Sequence, residues 1–276
     1  MWSPWTIADP DCKVRIAPDG TQYAWEGNIV GSGNMIIDQA EANKAVHYTL
    51  TFLKPWKAVS PVRFLFEPDG KGTKITWTME GSIPVFLFFM AKTMGAFVAM
   101  DYERGLAMLK DHLEISAVPS KLNFAGVESF ASFPFIGLRT SCARTEVGEV
   151  MGKDFEKLVA LFEELDIDPG PAFSIYHKFD PAKNITEYTA GLMVEEMPDD
   201  LPAEYFSGMF PACEAYKVEH TGPYRHLGNA WSAGMMHGRS KVFKQNKKIH
   251  PFETYENDVS QVPEEELITN VYFPVQ

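Results

Sequence analysis

Near the C-terminus, Pro251-Phe252-Glu253-Thr254-Tyr255 sets a carboxylate inside a short segment that otherwise reads as a strand. Side chains alternate across a strand, so Glu253 and Tyr255 share one face while Phe252 and Thr254 share the other. A later strand, Leu267 to Pro274, places Asn270 and Tyr272 two apart in the same way. If the two strands are neighbours, a carboxylate, an amide and two phenols are expected on one sheet face, a wall for a small-molecule pocket. An acid in such a setting has two chemistries. As a carboxylate it neutralises a bound cation, with Tyr176, Tyr255, Tyr272 and Trp231 presenting ring faces, each contact worth about 0.5–2 kcal/mol. As a desolvated acid with a raised pKa it serves as general base or acid toward water and a bound electrophile. Tyr224, after Gly222-Pro223 at a helix start, is a further ring that either plugs the fold or touches the ligand.

No Ser/His/Asp set accompanies Glu253, which favours binding over catalysis. His220 and His226 flank the same helix start without sharing a helical face, and Cys12, Cys142 and Cys213 have no close spacing, so no metal site is expected. Gly31-Ser32-Gly33 is a hairpin signal with no strand-to-helix change after it, and no cofactor motif is present. The three thiols read as free cysteines in a reducing compartment.

The 276-residue chain is long enough for one large or two medium domains. Its N-terminus has no basic segment followed by an apolar core, so a cytoplasmic protein is expected. The most apolar run, Val85 to Met100, is interrupted by Lys92 and too short for a membrane span. Residues 1–118 hold 11 basic and 13 acidic side chains and the rest 14 and 24, which puts the negative charge in the C-terminal part. With no basic stripe or helix-turn-helix pattern to offset it, nucleic acid is not an expected direct partner.

The elements that must carry these residues fall into two series. Strands at Gln22–Asn28, Asn34–Gln39, Val46–Leu53, Val62–Glu67 and Lys74–Met79, separated by turn signals such as Pro68-Asp69-Gly70, read as an antiparallel meander. A long helix, Val85 to His112, follows, with Phe89, Phe97, Met100, Leu106, Leu109 and Leu113 at helical spacing. Trp25, Trp56 and Trp77 are expected to fill the core between them. Asp101-Tyr102-Glu103-Arg104-Gly105-Leu106-Ala107-Met108-Leu109-Lys110, preceded by the meander and by Trp2-Ser3-Pro4-Trp5, resembles the end of a START-like domain of the SRPBCC, polyketide-cyclase type. That resemblance implies a helix-grip fold holding an apolar ligand, and by the same comparison the usual first strand and helices are missing here.

Residues 114–128 have no sustained period and mark the expected boundary between domains 1–118 and 119–276. Beyond them the order repeats: strand Phe133–Ala143, helix Glu146–Leu165, strands Phe173–Phe179 and Thr186–Glu195; then strand Cys213–His220, helix Tyr224–Phe243, strands Phe252–Tyr255 and Ile268–Phe273. The copies align best where Ser174-Ile175-Tyr176 meets Glu253-Thr254-Tyr255. Two strand-helix-strand-strand units imply pseudo-twofold symmetry and a groove at their junction. With His220-Thr221-Gly222-Pro223-Tyr224 opening the second helix and Tyr272-Phe273-Pro274-Val275 closing the chain, this pattern resembles the GyrI-like or AraC-type effector-binding domain. The resemblance implies a bacterial small-molecule-binding protein, of the multidrug-binding sort, whose ligand is planar, aromatic or cationic and meets a buried glutamate. Glu253 matches that glutamate and Tyr272 the closing tyrosine, whereas Asn270 stands where many members carry an acid. It leaves two alternatives open: a hydrolase of strained electrophiles such as cyclopropane-bearing compounds, in which Glu253 activates water, and an interaction protein of the gyrase-inhibitor type. Oligomeric state is not legible.

Overall fold

A computed structural model of the chain describes residues 3–81, 85–198 and 200–276. Trp2 of the Trp-Ser-Pro-Trp segment and Pro84, before the expected long helix, lie outside them. The fold is α+β, with two antiparallel sheets and three α-helices among the described residues. The chain divides into two compact units, Met1–Val118 and Pro119–Gln276. No described helix is long and apolar enough to cross a membrane.

The first unit is a six-stranded meander, β1 (Lys13–Ile16), β2 (Gln22–Glu26), β3 (Ser32–Glu41), β4 (Ala45–Lys54), β5 (Ala58–Asp69) and β6 (Gly72–Met79), each paired with the next. Strand β1 was not legible in the sequence, being four residues long. The expected helix from Val85 divides into a 3-10 segment, Val85–Met90, and α1 (Ala91–Ile115). Its buried residues are Tyr102, Gly105 and Met108, while Phe89 and Leu113 of the expected apolar face are exposed. Tyr102 and Gly105 are buried by one ring stack. Trp77 lies between Phe64 and Tyr102, at 4.8 and 4.1 Å, and Trp5 meets Trp77 edge-on at 5.7 Å. Gly105 admits that stack, because a Cβ there would come 2.7 Å from the Trp77 ring. Trp56, expected in the core, is 70% exposed on the turn between β4 and β5, after Pro55, where strand alternation no longer directs side chains to the buried face.

The second unit runs β7 (Lys121–Phe130), β8 (Phe133–Ala143), α2 (Val147–Glu164), β9 (Ala172–Asp180), β10 (Ile185–Met193), β11 (Tyr205–Phe210), β12 (Cys213–Thr221), α3 (Gly228–Arg239), β13 (Phe252–Tyr255) and β14 (Ile268–Pro274). Its eight strands lie in the order β11-β8-β10-β9-β13-β14-β12-β7. Read from either edge the order is the same: β8-α2-β9-β10 and β12-α3-β13-β14 are two strand-helix-strand-strand units meeting at the β9–β13 ladder. Each unit lends the other its leading strand, since β7 pairs with β12 and β11 with β8.

Residues 121–128, read as boundary, are therefore strand. Gly126, at φ 91°, sits where the β12 register slips, and this bulge hides the alternation. The helix expected over Tyr224–Phe243 is a 3-10 turn, Tyr224–His226, followed by α3, which ends before Lys241 in the left-handed region. Phe243 then turns back to stack on Tyr216 at 4.5 Å. One face of the sheet packs α2 over Ile136, Leu138, Tyr188, Ala190 and Leu192, and α3 over Tyr216, Val218, Val271 and Phe273. The other face buries Phe135, Phe173, Ile175, Phe210, Phe252 and Tyr272.

Candidate functional site

Strand β13 is four residues long and lies between β9 and β14. Its register pairs Glu253 with Val271 on one side and with Ser174 on the other. Glu253 therefore faces the helices, at the junction of the α2 and α3 cores, and it is 1% exposed. Alternation brings Tyr255 and, from β9, Tyr176 to the same face. Trp231 reaches it from the first turn of α3.

These three rings hold the carboxylate. Tyr176 Oη and Tyr255 Oη donate to Glu253 Oε2 at 2.9 and 2.8 Å, and the Trp231 indole N–H donates to Oε1. Hydrogen bonds to a charged acceptor are worth about 1.5–3 kcal/mol each, which is what allows a carboxylate this deep. Among the described residues no cation pairs with it. Burial pushes the Glu253 carboxyl up, and the three donors pull it back only in part. Burial and the neighbouring carboxylate push the Tyr176 and Tyr255 hydroxyls well above the ordinary phenol range, so both remain donors.

Around this centre the walls are aromatic. Tyr176 meets Trp231 edge-on at 4.7 Å, and Tyr255 meets Phe155 of α2 at 5.6 Å. Tyr224, 42% exposed, stands edge-on to Tyr255 at 6.0 Å, its hydroxyl pushed up to about 12 by burial and by the Glu253 charge. A buried carboxylate held only by neutral donors inside a ring of π-faces can take up a cation or exchange a proton.

Of the sequence-derived set, then, Glu253, Tyr255, Tyr176 and Trp231 are brought together and Tyr224 lies at their rim. Asn270 and Tyr272 are not. The β13–β14 register sets Asn270 opposite Thr254 and Tyr272 opposite Phe252, which turns both to the far face of the sheet. There the Asn270 amide donates to Glu256 Oε1 at 2.6 Å, and Tyr272 stacks on Phe252 at 4.7 Å. The expected wall of two phenols forms with Tyr176 in place of Tyr272. Sequence reasoning missed Ser174 and Met151: the Ser174 hydroxyl lies 3.0 Å from Tyr255 Oη, and Tyr255 Oη lies 3.2 Å from Met151 Sδ. The signal for Ser174 was the repeat alignment itself, which sets it against Glu253.

Two other buried polar groups have partners of their own. His220, fully buried, shares a 3.1 Å contact with Ser120 Oγ, to which Asn229 also donates. Asp154 accepts from Tyr188 Oη at 2.7 Å beneath α2.

Comparison with known proteins places these units in families. Residues 127–276 match the GyrI-like small molecule binding domain, and residues 11–114 match the polyketide cyclase / dehydrase and lipid transport family. No curated protein sequence matches the chain. Among solved structures, the chain is similar to an EcmrR–DNA complex (15% identity, 70% of this chain and 69% of that one, TM-score 0.46). It is also similar to the EcmrR C-terminal domain (19%, 57% and 98%, 0.44) and to SAV2435 bound to tetraphenylphosphonium (13%, 54% and 92%, 0.43). The chain belongs to the GyrI-like small-molecule-binding family, here joined to a polyketide cyclase-type domain.

Proposed function

We propose that the second unit binds a lipophilic, planar or aromatic cation, with Glu253 as its counter-ion and Tyr176, Tyr255, Trp231 and Tyr224 as its aromatic walls. The observation that carries this reading is a 1% exposed carboxylate held by three neutral donors and paired with no cation among the described residues. Neutral donors lower the cost of the buried charge without cancelling it, so a cation entering the rings gains both the Coulomb attraction of a low-dielectric site and the ring contacts. Titration of the purified chain with tetraphenylphosphonium tests it. Glu253→Gln, close in shape but uncharged, is expected to weaken binding by about tenfold or more. Equal affinity of the two proteins would overturn the reading.

The raised carboxyl of Glu253 between two phenols favours a second reading, a hydrolase in which Glu253 takes the proton of an attacking water. On a cyclopropane-bearing electrophile, Glu253→Gln would then lower turnover by about 10²–10⁴ while leaving substrate binding largely intact. No turnover by the unaltered protein leaves the binding reading alone.

A further inference from the structure

A single row of residues crosses the eight-stranded sheet at the junction of its two units. In ladder order it reads Phe124, Val218, Val271, Glu253, Ser174, Ala190, Leu138 and Tyr205. The row is centred on the Glu253–Ser174 pair, and a twofold axis through that pair exchanges Val271 with Ala190 and Val218 with Leu138. The same operation exchanges Tyr255 with Tyr176. Above the row, Trp231 of α3 reaches Glu253, and Met151 of α2 lies 3.4 Å from Ser174 Oγ. The site is thus a duplicated box in which one half holds a carboxylate under an indole and the other a hydroxyl beside a thioether.

From this geometry we infer that Ser174 is the emptied second half of the site, and that the site takes one positive charge: a monocation with an apolar arm, not a dication. The inference rests on the reading of Glu253 as counter-ion and adds the charge and shape of the ligand. Both tyrosines direct their hydroxyls to Glu253 because nothing at position 174 competes for them as an anion. Tyr255 Oη instead receives Ser174 as a neighbour at 3.0 Å and Met151 Sδ at 3.2 Å. A polarizable sulfur beside a lone hydroxyl suits an apolar or aromatic arm and gives a second cation no counter-charge. The other carboxylate buried on the helix face among the described residues, Asp154, is bonded to Tyr188 and has no hydrogen bond to the two tyrosines that define the box.

The test compares an alkylpyridinium with the bis-pyridinium carrying the same alkyl chain, each titrated calorimetrically into the full chain. The unaltered protein is expected to bind the monocation at least as tightly as the dication. Ser174→Glu supplies a second charge and is expected to move the ratio toward the dication by about tenfold or more, while the neutral Ser174→Gln leaves it within about threefold. A folded Ser174→Glu protein with an unchanged ratio overturns the inference. So does a preference of the unaltered protein for the dication, including one that Asp154→Asn removes. Because a second buried acid opposes folding, a swap variant keeps the charge count constant: Glu253→Ser abolishes monocation binding, and adding Ser174→Glu restores it between the same two phenols. A folded swap protein without recovery also overturns the assignment of Ser174. Retention of full monocation binding by Glu253→Ser alone would instead refute Glu253 as counter-ion.

Discussion

Tyr176 and Tyr255, from two different strands and two different repeat units, donate to the same oxygen of Glu253, at 2.9 and 2.8 Å. Because each hydroxyl has one hydrogen and both point inward, the pair fixes the carboxylate in the plane between the two units. A ligand that takes over that charge meets a preorganised acceptor, not a mobile side chain.

Removing one donor should therefore show in both stability and ligand affinity. Tyr176→Phe and Tyr255→Phe are each expected to cost about 1–3 kcal/mol in urea unfolding, since each leaves a buried carboxylate with one bond fewer. Each also raises the Glu253 carboxyl further, so the pH midpoint of cation binding moves upward in both. Tyr272→Phe, on the far face, is expected to leave that midpoint where it was.

Protonation of Glu253 acts with opposite signs on binding and on stability. The folded carboxyl lies above its ordinary value of 4.5, so between that value and the raised one the folded state holds more protons than the unfolded state. Stability from this group is therefore greatest below pH 4.5 and declines as pH rises through the folded pKa. Cation binding rises through the same interval. Glu253→Gln should flatten both curves, and a binding curve that falls with pH would exclude the carboxylate as counter-ion.

His220 has the reverse effect on stability. Burial, assisted by the charge of His226, pushes it down from 6.5 to about 4. The unfolded chain then binds the proton first, and stability present above pH 6.5 is lost as pH falls toward about 4. The full contribution is about 3 kcal/mol. Acid unfolding of His220→Gln, compared with the unaltered chain, is expected to lack this slope; identical acid limbs would show that His220 is not held neutral.

In the first unit, Gly105→Ala tests the ring stack. Its Cβ would meet the Trp77 ring at 2.7 Å, and the stack of Phe64, Trp77 and Tyr102 has no slack on either side. Thermal unfolding is expected to report a loss of about 1–3 kcal/mol. Gly95→Ala in the same helix, where nothing lies within 4 Å of the added carbon, should be neutral or stabilising.

Within several elements the sequence was a sufficient guide. Alternation along Phe252–Tyr255 put Glu253 and Tyr255 on one face, helical spacing found α2, and the repeat of strand, helix, strand, strand foretold the two-unit sheet. These are local periodicities, dictated by backbone geometry and readable from one segment at a time. What joined the segments was decided elsewhere. Asn270 and Tyr272 alternate as regularly as Glu253 and Tyr255, yet the β13–β14 register pairs Glu253 with Val271, and a difference of one residue sends both to the opposite face. No pattern inside either strand specifies that parity; the packing of Val271 and Phe273 under α3 and of Tyr272 against Phe252 does. The exchange of β7 and β11 between the units was likewise invisible, because it depends on pairings between strands about ninety and about seventy residues apart. The meeting of Tyr176, Trp231 and Glu253 exists only in tertiary structure, since three side chains from β9, α3 and β13 converge only once the β9–β13 ladder has formed and α3 has docked over it.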